Sequence, residues 1–123
     1  MNIAIHFEIP VRDLERAIRF YQQVFELTLE RVAIDGNEMA LFPLDEQAPG
    51  CSGALAMGES YVPSLDGTRI YLRGGDIELA MRRALTAGAR ELYPITRVSE
   101  QIRVAEFQDP EGNRIALQEM AKR

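Results

Sequence analysis

The chain has 123 residues, 46% of them apolar, with one Cys, one His and a formal net charge of −5, which suits one compact domain over residues 1–123. The acidic balance excludes nucleic acid and anionic membrane surfaces as expected partners, since phosphate binding needs clustered Lys and Arg, and no apolar run is long enough to span a bilayer. A lone Cys51 excludes an internal disulfide, and an N-terminus that enters an alternating run without an apolar leader gives the expectation of a cytoplasmic protein.

In chain order, residues 3–11 alternate, with Ile3, Ile5, Phe7, Ile9 and Val11 on one face and Ala4, His6, Glu8 and Pro10 on the other. That is the period of a strand. Asp13 then stands at a helix N-cap position, and Leu14, Ala17, Ile18, Tyr21 and Phe25 recur at helical spacing, forming a stripe to pack on the odd face of the strand. Asp35-Gly36 is a two-residue hairpin pattern. The Pro-, Gly-, Ser- and Asp-rich stretches 43–52 and 59–67 are the two longest expected loops; the second joins the halves of the chain, and either is placed to serve as a lid. A second strand-like run over 68–73 leads to Asp76 and another stripe, Ile77, Ala80, Met81, Ala84 and Leu85, with Gly88 where a left-handed cap is wanted. Asp109-Pro110-Glu111-Gly112-Asn113 is a tight reversal.

The two halves repeat. Asp13-Leu14-Glu15-Arg16-Ala17-Ile18-Arg19 returns as Asp76-Ile77-Glu78-Leu79-Ala80-Met81-Arg82, each copy following a strand-like run. Downstream, Met39-Ala40-Leu41-Phe42 resembles Val104-Ala105-Glu106-Phe107, and Ala54-Leu55 resembles Ala116-Leu117. We therefore expect an α+β fold of two tandem units, about 1–60 and about 67–120, each a strand, a helix and a meander of three short strands.

The stretch from Phe7 to Ala17, with Phe20-Tyr21 and Val24-Phe25 beyond it, resembles the opening signature of the vicinal oxygen chelate superfamily, the glyoxalase, bleomycin-resistance and extradiol dioxygenase group. The stretch from Phe107 to Leu117 resembles its closing signature. The resemblance implies paired βαβββ units whose mixed sheets curl into a cup, a site in the cup, and a homodimer. One departure is Glu26, where the family commonly has Gly; a left-handed residue there is costly without Gly, so a different helix end is expected.

The resemblance also implies four inward positions for a divalent ion. They fall on His6, its repeat twin Arg69, Ala54 or Leu55, and Ala116. Only His6 is able to ligate, whereas a catalytic ion wants about three converging donors, so no metal is expected. The alternative is Ni, Zn, Mn or Co on a shifted set of His6, Glu8 and Gln118. Extradiol chemistry needs two His and is excluded by the count.

His6 is either a hydrogen-bonded lining residue or an acid–base group, and Glu8 either a general base or, preferably, a partner of Arg69 or Arg73. Arg69, Tyr71 and Arg73 alternate on one strand and face His6, Glu8 and Pro10 by the internal two-fold. Arg69 is expected either to take the metal's place as an anchor for an anionic group or to pair with Glu8. Ala54, Ala56 and Ala116 leave room, with Phe42, Phe107, Met39 and Met57 as apolar wall or as plain core. Cys51 has no activating neighbour and is read as inert, and Gly74-Gly75 lacks the rest of a nucleotide motif. The expected function is binding of a small apolar or anionic organic molecule without a metal, with His6 and Glu8 as its acid–base candidates; a divalent-metal lyase or isomerase is the alternative.

Overall fold

The computed structural model describes residues 2–119. Strand β1 (His6–Pro10) leads into helix α1 (Leu14–Phe25), and β2 (Glu30–Ile34), β3 (Asn37–Leu41) and β4 (Ser52–Met57) complete the first unit. The second repeats the order with β5 (Ile70–Arg73), α2 (Ile77–Thr86), β6 (Arg90–Arg97), β7 (Arg103–Gln108) and β8 (Arg114–Gln118). Each unit makes its own mixed sheet, β1-β4-β3-β2 and β5-β8-β7-β6, in which the first strand runs parallel to the last. The fold is α+β, two tandem βαβββ units, as the repeats predict.

The duplication holds to the single hydrogen bond. Val11 N–H donates to the Ala56 carbonyl at 2.9 Å and Gly74 N–H to the Gln118 carbonyl at 2.8 Å, closing the parallel pair in each copy at equivalent positions. His6 is therefore the twin of Arg69, Glu8 of Tyr71, and Ala54 of Ala116. Both helices start where expected: the Asp13 side chain accepts from Arg16 N–H and that of Asp76 from Leu79 N–H, satisfying amides that have no partner within the helix. One apolar core joins the units and includes Ile9, Tyr21, Leu55, Ile77, Phe107 and Leu117.

The opening and closing signatures meet in space. Within the reversal, Asp109 is buried; one oxygen accepts the backbone N–H groups of Glu111 and Asn113, and the other accepts the Tyr21 hydroxyl at 2.6 Å. Glu111 accepts the Arg12 and Asp13 N–H groups at 2.7 and 2.8 Å and Arg16 Nε at 2.6 Å, and Asn113 Nδ2 donates to the Pro10 carbonyl at 2.7 Å. The second unit's last turn is thus bolted to the strand–helix junction of the first. These residues lock the units together, and Asn113 does so at the edge of the cleft described below.

Several expectations are corrected. The first strand begins at His6, not residue 3: Ile3 and Ile5 are 96% and 84% exposed, having no partner strand or helix over them. The α1 stripe extends to Phe20 and Val24, while Ile18 and Phe25 are only half-buried. Leu85 is exposed on α2. Glu26 does not end the helix differently; it takes the left-handed conformation itself, φ 53 and ψ 51, and its carboxylate lies 3.1 Å from Arg83. Asp35 and Gly36, both at positive φ, make the expected tight hairpin between β2 and β3.

Candidate functional site

A cleft of about 630 Å³ opens between β1 and the β5–β8 edge, with the linker between units along its rim. Residues of both units of a single chain line it. Strand alternation turns Phe7 and Ile9 toward the helix-covered core and leaves His6 and Glu8 exposed on the other face, so the period of two places polar groups at the cleft.

On the first wall, Glu8 Oε1 accepts the Tyr61 hydroxyl at 2.9 Å and Glu8 Oε2 lies 3.4 Å from His6 Nε2. The bond to Glu8 raises the Tyr61 pKa, so this linker residue stays a donor. The expected pairing of Glu8 with Arg69 or Arg73 is not made, because the closer donors belong to its own unit and to the linker. On the second wall, Arg69 Nη1 donates to Glu106 Oε2 at 3.4 Å and Arg114 Nε donates to Glu106 Oε1 at 2.5 Å. Both guanidiniums line the cleft, whereas the Glu106 side chain is 8% exposed. The anticipated Arg69–Glu8 salt bridge is thereby replaced by Arg69–Glu106.

His6, Glu8, Arg69 and Tyr71 therefore come together as expected; Ala54, Ala116, Gln118, Phe42 and Phe107 do not line the cleft. Phe42 and Phe107 belong to the core on the helix side of the sheets, packed around Tyr21 and Phe20. Ala54 is fully buried in a small cluster with Met39 and Ala56, so it makes packing, not room. Ala116 is fully buried beside its cross-strand partner Glu106, and Gln118 ends β8, half-buried. Met57 packs against the core. Cys51 is exposed at the cleft margin. In the linker, Ser64 accepts Arg114 N–H at 3.3 Å through its carbonyl, which ties the rim to the second wall.

Two site residues escaped the sequence reading, Glu106 and Arg114. A pointer existed for the first. In the repeat alignment Glu106 stands where the first unit has Leu41, and both occupy the register position beside the twin alanines, Ala116 and Ala54. A carboxylate at a position its own repeat fills with leucine sets the second sheet face apart from the first.

A divalent ion of the kind metal-using relatives hold does not fit these donors. His6 and Glu8 share one strand, Ala54 and Ala116 present methyl groups, and Arg69 presents a cation; Glu106 is committed to two arginines. Among the described residues no group of three or more His, Cys, Asp or Glu side chains converges, and Gln118 lies away from the cleft.

The profile of the Glyoxalase/Bleomycin resistance protein/Dioxygenase superfamily matches residues 3–117. No curated protein matches the chain. Among solved structures, a glyoxalase family protein from Bacillus cereus superposes with a TM-score of 0.74 at 19% identity, over 99% of this chain and 96% of that one. A glyoxalase/bleomycin resistance protein from Albidiferax ferrireducens T118 gives 0.71 at 18% identity, over 96% and 99%. A glyoxalase I mutant from Zea mays gives 0.69 at 17% identity over 94% of this chain, which spans only 45% of the maize protein. At these identities the likeness is one of fold.

Proposed function

Because the chain belongs to the Glyoxalase/Bleomycin resistance protein/Dioxygenase superfamily, we propose that it binds a small organic acid in the cleft between its two units, without a metal, and that Arg69 is the principal anchor. The observation that carries this reading is the pair of guanidiniums, Arg69 and Arg114, that share one buried carboxylate at the cleft wall. Two cations against one anion leave a net positive charge where the twin position carries His6. A planar guanidinium with spare N–H groups suits a carboxylate, and the exposed side chains of Val62 and Tyr71 at the cleft suit a hydrocarbon body.

His6 and Glu8 face the same space, so a bound acid would meet a hydrogen-bond acceptor and an imidazole opposite its anchor. That is a geometry for orienting a ligand, and for proton transfer if the ligand carries an acidic C–H or hydroxyl. The alternative, a divalent-metal lyase or isomerase of the glyoxalase type, needs donors that this cleft would have to recruit from elsewhere.

Dialysis of wild type and Arg69→Ala against benzoate and phenylacetate tests the reading. A charge-assisted contact is worth about 1.5–3 kcal/mol, so affinity should fall by about tenfold to a hundredfold in the variant; equal affinity removes the anchor. Elemental analysis and thermal shift with Ni, Zn, Mn and Co test the alternative, which a stoichiometric bound ion would favour.

A further inference from the structure

We infer that Glu106, together with Arg69 and Arg114, sets the charge that the cleft accepts: a small carboxylate with one negative charge, in preference to a dianion. This rests on reading the cleft as an organic-acid site and specifies which acids it takes.

The first unit shows what this sheet position does by default. There Leu41 lies beside Ala54 and packs on the small cluster of Met39, Ala54 and Ala56, an apolar plug. In the second unit a carboxylate replaces the leucine, beside Ala116 and almost fully covered. A covered carboxylate is costly unless each oxygen is engaged, and here each is, Oε1 by Arg114 and Oε2 by Arg69. Glu106 therefore pins both guanidiniums in place. It uses only Nε of Arg114 and Nη1 of Arg69, leaving most of their ten N–H donors for a ligand.

The charge count decides the class. Arg69, Arg114 and Glu106 together carry one net positive charge. A monocarboxylate brings the group to neutrality. A dianion leaves an excess negative charge beside a covered carboxylate, where Coulomb repulsion is poorly screened. No other part of the cleft relieves this. Among the described residues lining it, Arg69 and Arg114 are its permanent cations, the remaining charged side chains Glu8 and Asp66 are acidic, and His6 is already beside Glu8.

The test is a calorimetric titration, at low salt and neutral pH, with three probes: benzoate, phthalate and the monomethyl ester of phthalate. The ester is larger than phthalate by only one methyl group and carries one charge. Wild type should bind benzoate and the ester, and bind phthalate at least about tenfold more weakly than the ester. In Glu106→Gln, which leaves both arginines unneutralised, phthalate should gain about tenfold or more and the preference should vanish or reverse. Thermal melting checks that the variant folds; if it does not, the wild-type series alone decides. Equal wild-type affinity for phthalate and its ester, or an unchanged ratio in a folded Glu106→Gln, overturns the charge rule while leaving the acid site intact. Failure of all three probes to bind wild type overturns the acid site itself.

Discussion

The Tyr21 hydroxyl donates to a buried carboxylate, Asp109, across 88 residues of sequence. Burial raises the Asp109 pKa, and the bonds from Tyr21, from Asn113 and from the Glu111 backbone oppose that rise. Burial likewise pushes the Tyr21 phenol well up, so it remains a donor at every working pH. Tyr21→Phe should therefore cost about 1–3 kcal/mol at pH 7, by leaving one oxygen of a buried carboxylate short of a donor. The sign with pH follows. Because the folded Asp109 pKa lies above its unfolded value, the native state holds the proton to higher pH, and its burial costs stability once the group ionises. The Tyr21 bond matters most to the ionised form, so the Tyr21→Phe deficit should shrink as pH falls toward about 4. Urea midpoints of both proteins at pH 7 and near 4 measure this; a deficit that grows on acidification would contradict it.

At the scale of elements, two positions report on how closely the strands and helix ends are fitted. A methyl added at Gly53 would sit 2.1 Å from the Phe7 carbonyl oxygen, in the parallel pair that carries His6 and Glu8. Gly53→Ala should thus cost about 1–3 kcal/mol and weaken ligand binding along with stability, both readable in one ligand-dependent melting series. Conversely, Glu26 bears a left-handed conformation at about 1–2 kcal/mol, against which its exposed contact with Arg83 offers little. Glu26→Gly should stabilise by about 0.5–1 kcal/mol, seen as a higher thermal midpoint.

These elements also show what was legible beforehand. Local rules found the capped helices, the Asp35-Gly36 hairpin and the paired first strands, because caps, tight turns and strand periodicity depend on neighbours in sequence. They could not assign faces across strands. By residue type alone Phe42 and Phe107 favour core over cleft wall, and only sheet register sends them to the helix side. Glu106 carries no local signal because its partners, Arg69 and Arg114, lie on other strands, and the Tyr61 partner of Glu8 lies 53 residues away in the linker. Pairings between distant segments are set by topology, which single-residue chemistry does not carry.

For the whole molecule, the duplication makes a cleft with two unlike walls from two like units. The twin positions that hold His6 and Glu8 in one copy hold Arg69 and Tyr71 in the other, and the closing turn holds the copies in fixed relation. The most direct measurement is a two-dimensional amide NMR titration of the 15N-labelled protein with benzoate in the presence of EDTA. Saturable shifts gathered at His6, Glu8, Arg69, Tyr71 and Arg114 are the predicted result. Shifts gathered elsewhere, or binding that appears only when a divalent metal replaces the chelator, would contradict it.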